Sequence, residues 1–237
     1  LDLSLPPPPR IEAILFDKDG TLFDFRATWD AWAHDVFGLL ARGDAGRRKA
    51  LAEIARYDLE ARRFSPESPV IAGSNDEVAA LFASVLPDRA AGDIADLLAE
   101  TAADVTVVPP VPLEACLGGL IARGLRLGVM TNDAEAVAHA HLHAAGVGGL
   151  FDFVAGCDSG FGAKPDPAPL LAFSDALGVA PDAVAMVGDS THDLVAARAA
   201  GMVPVAVLTG LAQGAELAPH AAVILPDIGH LEAWLWP

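Results

Sequence analysis

Much that would define other protein classes is scarce in this chain. Only two of its 237 residues are cysteine, Cys116 and Cys157. Their settings share no metal-ligand spacing, so a disulfide-stapled or zinc-held fold is excluded and two free thiols are expected. Positive charge is sparse: 15 Lys and Arg stand against 32 Asp and Glu, a formal net charge of −17. Such a balance repels phosphate backbones and anionic headgroups, which argues against nucleic-acid and membrane-surface partners. An anionic small molecule is compatible only where local cations reverse the field. No apolar run approaches the ~20 residues that span a bilayer, although 53% of residues are hydrophobic. The first nine residues lack the charged and apolar stretches of a signal peptide. The sparse, unpaired cysteines fit a reduced, cytoplasmic protein, and monomer and homodimer both stay open.

What is present alternates. Pro6 to Pro9 read as a stiff polyproline arm. Ala13 to Phe16 form a continuous apolar run, the signature of a parallel strand buried on both faces. Helical spacing then dominates Ala27 to Leu40, Arg47 to Arg63, Asp76 to Leu86 and Asp88 to Ala103 without a strand signal, and Ser74 or Asn75 can cap the third of these helices. Residues 24–107 therefore read as an inserted, all-helical domain, with Val108-Pro109-Pro110-Val111-Pro112 as the return linker. Beyond it, apolar strands near 125–130, 151–155, 183–187, 203–208 and 222–225 alternate with helices, several of them ended by a glycine. The pattern predicts an α/β protein. Its core, residues 1–23 and 108–237, is a doubly wound parallel sheet, and such sheets bind ligands beyond the carboxyl ends of their strands.

Four of those strand ends carry polar residues that packing does not require. They are Asp17-Lys18-Asp19-Gly20-Thr21, Thr131-Asn132-Asp133, Lys164-Pro165-Asp166-Pro167 and Gly188-Asp189-Ser190-Thr191-His192-Asp193. In this order and spacing they resemble the motifs of haloacid dehalogenase-like hydrolases. The similarity is to the phosphatase branch with a helical cap inserted after the first motif, as in phosphoglycolate phosphatases. The resemblance implies a Mg²⁺-dependent phosphate monoester hydrolase acting on a small phosphorylated metabolite, with 2-phosphoglycolate the leading candidate. A phosphomutase of the β-phosphoglucomutase type and a non-catalytic metal- or partner-binding relative are the alternatives. Dehalogenases lack the second acid of the first motif and phosphonatases use a cap lysine. Here Asp19 is present and no lysine falls between Lys49 and Lys164.

By the same resemblance Asp17 is the nucleophile, a carboxylate that attacks phosphorus and splits one hard hydrolysis into two easier steps. Asp19 is the acid that protonates the leaving oxygen and then activates water. Gly20 permits a tight turn near the phosphate and Thr21 caps the segment after it. Asp17 and Asp189 are the implied Mg²⁺ ligands, joined by the backbone carbonyl of Asp19 and by waters. Thr131 and the amide of Asn132 hold phosphate, Lys164 neutralises the transferring group, and Asp193 supports the metal or Lys164. Lys18, pointing away from its neighbours, is expected to face solvent or the cap. His139, His141 and His143 read as surface histidines, His192 as a rim residue, and Trp29 and Trp32 as cap core or cap–core interface. An acidic substrate requires a cap arginine over the site. Arg62 and Arg63 are the candidates, Arg63 foremost, beside a possible lid edge at Ser65 to Pro69.

Overall fold

Strand β1 (Ala13–Phe16) carries no residue that needs water, and all four of its side chains are buried. The computed structural model describes residues 10–71 and 73–237; the proline arm at Pro6 to Pro9 lies outside them. After β1 come α1 (Phe25–Ala41), α2 (Ala45–Ile54), β2 (Tyr57–Asp58), β3 (Arg63–Phe64), α3 (Asn75–Ala83) and α4 (Ala91–Ala103). The chain continues with α5 (Leu113–Ala122), β4 (Arg126–Met130), α6 (Glu135–Ala144), β5 (Phe153–Ala155) and α7 (Ala168–Leu177). It ends with β6 (Val184–Gly188), α8 (Thr191–Ala200), β7 (Val203–Val207), α9 (Gly214–Leu217), β8 (Val223–Leu225) and α10 (Leu231–Leu235).

Six strands form one sheet in the order β5-β4-β1-β6-β7-β8, every pairing parallel. The chain builds outward from β1 through β4 to β5, then crosses back and builds outward again through β6, β7 and β8. That reversal makes the carboxyl end of β1 the switch point of the sheet, where a crevice opens. Alternate side chains of β1 enter different cores: Ile14 and Phe16 pack with Leu117, Val129 and Leu231, whereas Ala13 and Leu15 pack with Met130, Phe173 and Met186. Helices on both faces cover the sheet, which is the doubly wound α/β architecture expected.

The segment between β1 and α5 gathers a hydrophobic cluster around Phe37, Leu40, Leu51, Phe82, Leu86 and Ile94, which also takes in Val137 of α6 and Leu211 after β7. Its two ends meet, because the amide of Asp24 donates to the carbonyl of Val108 at 2.8 Å. Asp24 also caps α1 through Ala27 N, a role expected of Thr21. Thr21 is instead fully buried, and its hydroxyl has no hydrogen-bond partner among the described residues. The segment is not all-helical. The helix expected across Arg47 to Arg63 stops at Ile54, and Arg56 takes a left-handed conformation (φ 50°). Tyr57–Asp58 then pairs antiparallel with Arg63–Phe64. The Asp58 carboxylate closes that hairpin by accepting from Glu60 N and Ala61 N, an Asx-type turn that competes with helix. Tyr57 and Phe64 stack edge to face across the strands at 5.0 Å. Helix α3 starts at the expected Ser74, in a capping box with Glu77. After β8 the chain makes a single 3₁₀ turn at Ile228–His230 and passes directly into α10.

Candidate active site

Asp17 continues the line of β1, its amide still bonded to the Val187 carbonyl of β6 at 2.8 Å. Asp189 follows β6, and Asp193 lies in the first turn of α8. Carboxylate oxygens of these three buried acids fall within 4.8 Å of one another. Lys164, reaching in from the loop before α7, bridges two of them, with Nζ 2.6 Å from Asp17 Oδ1 and 2.7 Å from Asp193 Oδ1. Asp193 uses its other oxygen in a capping box with Ser190, accepting from the hydroxyl at 2.6 Å and the amide at 3.1 Å. That box fixes the rotamer of Asp193 and so the direction from which it meets Lys164.

Burial pushes the Asp17 carboxyl up to about 7 against the pull of Lys164, with Asp193 and Asp19 adding repulsion. Burial, then Asp17 and Asp193, raise Asp189 well above the usual carboxylate range. Burial disfavours the Lys164 ammonium, but the two aspartates outweigh it and raise its pKa. Three buried carboxylates against one lysine leave negative charge uncompensated, which a further cation would relieve. The donors are all hard oxygens, with no His or Cys in the cluster among the described residues. The residues present therefore fit a Mg²⁺-type ion. Asp193 joins Asp17 and Asp189 in this cluster, whereas the Asp19 side chain faces elsewhere.

Two glycines make room for Asp189. At Gly20 (φ 86°) a Cβ would lie 2.5 Å from the Asp189 carboxylate, and at Gly210 only 1.6 Å from Asp189 Oδ2. Thr209 Oγ1 donates to the Gly20 carbonyl at 2.6 Å, tying the loop after β7 to the first motif. Sequence reading missed this loop, which carries no charged residue; Thr209-Gly210 at a strand end was its one signal. Gly210→Ala should weaken binding of an added divalent cation about tenfold, read by titrating Mg²⁺ against melting temperature and against any activity it supports, because Asp189 must move to admit the methyl. An unchanged Mg²⁺ response in both measurements would mean that the loop yields instead.

Asp19 is held from two sides. The Trp29 indole of α1 donates to Oδ1 at 2.7 Å, and the Lys18 ammonium contacts Oδ2. Lys18 does not face solvent: it is fully buried, 2.9 Å from Asp133 Oδ2 and 3.1 Å from His141 Nδ1. Its ammonium also lies 5.3 Å from the centre of the Trp29 ring. Burial opposes the charge of Lys18, but Asp133 and Asp19 outweigh it and lift its pKa. His141 is likewise not on the surface. Val137, Ala138, His141 and Leu142 share the buried face of α6, a spacing legible in the sequence. His141 Nε2 donates to the Ala102 carbonyl at 2.8 Å, which leaves Nδ1 to accept from Lys18. Burial and then Lys18 lower its pKa to about 4, so the ring is neutral.

Thr131 is buried, and its hydroxyl accepts from the Asp133 amide at 3.1 Å. The side-chain amide of Asn132 clamps the backbone of Lys164, donating to its carbonyl and accepting from its amide, both at 2.9 Å. Helix α6 begins only at Glu135, so Thr131 and Asn132 belong to the loop before it rather than to its cap. Arg62 and Arg63 are exposed on the hairpin and do not line the site. Cys116 and Cys157 are both free thiols.

A cleft separates the strand ends from the helices above. Asp17, Asp19, Asp133, Lys164, Asp189 and Asp193 form its floor, and Ser190 and His192 reach its side. Its roof is apolar and includes Trp29 and Trp32, which pack edge to face at 4.9 Å. These tryptophans thus serve the interface and also wall the cleft.

The family model described as haloacid dehalogenase-like hydrolase matches residues 11–201. A phosphoglycolate phosphatase from Rhodospirillum rubrum is 35% identical, over 94% of this chain and 90% of its own length. That from Escherichia coli K12 is 29% identical over 86% of this chain and 84% of its own. Among solved structures, CbbY from Rhodobacter sphaeroides in complex with phosphate superposes with a TM-score of 0.70 at 22% identity, covering 95% of this chain and 99% of that one. The chain belongs to the haloacid dehalogenase-like hydrolases.

Proposed function

We propose that this protein is a Mg²⁺-dependent phosphate monoester hydrolase working through an aspartyl-phosphate on Asp17. The observation that carries the reading is the convergence of Asp17, Asp189, Asp193 and Lys164 at the switch point of the sheet. Asp17, Asp189 and Asp193 would hold the ion, whose chemistry is charge neutralisation of a phosphoryl group. Lys164 supplies a second positive charge beside the attacking oxygen, and Thr131 and Asn132 border the same space. Asp17 attacks phosphorus and the ester oxygen departs as an alcohol, protonated by Asp19. Asp19 then takes a proton from water, which cleaves the acyl phosphate and regenerates Asp17. Trp29 and Lys18 orient Asp19 for both proton transfers, and the overlying helices keep bulk water from the intermediate.

The names of the relatives make 2-phosphoglycolate the first ester to try. Purified protein is expected to release inorganic phosphate from small esters with Mg²⁺ and to stop when the ion is chelated. An Asp19→Asn variant, slowed in the second step, should yield a phosphorylated peptide containing Asp17. Isomerised sugar phosphate in place of free phosphate would replace hydrolysis with mutase chemistry. No turnover of any ester would leave the non-catalytic alternative.

A further inference from the structure

We propose that the preferred ester has a neutral, apolar and ring-sized alcohol part rather than a second carboxylate. This rests on the phosphohydrolase reading and concerns only what the cleft accepts beyond the phosphoryl group. The floor of the cleft contains five carboxylates, and both lysines near it are already engaged: Lys164 by Asp17 and Asp193, and the buried Lys18 by Asp19 and Asp133. A phosphoryl group bound there directs its alcohol part toward the roof. That roof is built from Phe25, Trp29, Trp32, Phe64, Ile71 and Leu98, with Val70, Val78 and Ala102 between them. No lysine or arginine of the overlying segment lines it among the described residues. The arginines an acidic substrate would need are elsewhere: Arg62 and Arg63 are exposed, and Arg26 lies on the outer surface, 3.6 Å from Asp30.

A leaving-group carboxylate in this cleft would be stripped of water, would face aspartates below and would find no counter-ion above. An apolar ring would meet aromatic edges and faces. Trp29 and Trp32 pack at 4.9 Å, Phe25 and Phe64 at 6.1 Å, and each pair can be extended by one more ring. The one side-chain amide in the roof, among the described residues, is Asn75. Its Nδ2 donates to the Ala95 carbonyl at 3.1 Å.

The test compares kcat/KM for 2-phenylethyl phosphate and 2-phosphoglycolate with Mg²⁺. Both release a primary alcohol, so leaving-group reactivity does not separate them as it would for an aryl phosphate. The phenylethyl ester should be favoured about 50-fold, the range expected for burying a ring in an apolar pocket. Ile71→Arg, at a partly buried loop position and in a protein that still melts as the wild type does, should bring the two values within about threefold by raising 2-phosphoglycolate and lowering the phenylethyl ester. Equal rates for the wild type, a preference for 2-phosphoglycolate, or an Ile71→Arg protein with unaltered selectivity would overturn the inference and leave the phosphatase reading standing. Absence of phosphate release from every ester would remove that reading and this one with it.

Discussion

Asp17→Asn is expected to lower turnover by about four orders of magnitude or more, since a carboxamide cannot form the acyl phosphate. The same substitution should leave the melting temperature unchanged or raise it. Asparagine retains an oxygen for Lys164, which sits 2.6 Å from Asp17 Oδ1 and keeps Asp193 at 2.7 Å. It also removes one of the charges that raise Asp189. Loss of activity with retained or increased stability is the pattern of a residue kept for chemistry at a cost to the fold. Initial rates of phosphate release and a thermal melt, taken on one preparation, read both halves. Turnover within tenfold of the wild type would remove Asp17 as nucleophile. A fall of several degrees would show instead that its charge holds the site together.

Lys18→Met should act in the opposite sense on stability. Methionine matches the length of the side chain, but it leaves Asp19 and Asp133 facing each other around a buried space once held by an ammonium. Breaking a buried pair by removing one partner costs about 3–5 kcal/mol. For a domain of this size that is about 10 °C in melting temperature. Asp133, already raised by burial, would titrate higher still without Lys18. The kinetic signature lies in the leaving group. Asp19 loses one of its two holders, keeping only the Trp29 indole at 2.7 Å. Proton donation matters most when the departing oxygen is a poor leaving group. The kcat/KM for an alkyl phosphate, which reports steps through phosphoryl transfer, should therefore fall about tenfold more than that for p-nitrophenyl phosphate. Equal losses on both esters would make Lys18 a structural residue only. No loss of either kind would remove it from the site.

The positions of the candidate catalytic acids were legible because each comes just after a short apolar strand. Ala13 to Phe16 and Val184 to Val187 have no exposed residue, and where such a run ends in Asp the polar residue needs another explanation. The strands, the helices between them and the parallel order could be read for the same reason, since burial on both faces leaves an unbroken signal. What escaped depends on encounters between distant residues. Lys18 and His141 are 123 positions apart, and nothing near Lys18 marks it as buried. Gly210 matters only because Asp189, from another strand, occupies the space its side chain would fill. Asn132 serves Lys164 through the latter's backbone, which side-chain chemistry does not reveal. The hairpin at Tyr57 to Phe64 was hidden in a segment with helical spacing, where local bonds from the amides of Glu60 and Ala61 to Asp58 settled the turn. Arg63 belongs to that hairpin and is exposed, so the cation expected over an acidic substrate is not in the wall of the cleft.

The amide of Asp24 and the carbonyl of Val108, 2.8 Å apart, join the two threads by which the helical segment hangs from the sheet. Entry and exit therefore occupy one doorway. A segment spliced between them is expected to leave the sheet's strand register untouched, provided it keeps Trp29 against Asp19 and the Ala102 carbonyl against His141. A lineage could rewrite which molecules are admitted while the acids beneath stay in place, and an engineer could graft a foreign roof at the same two residues.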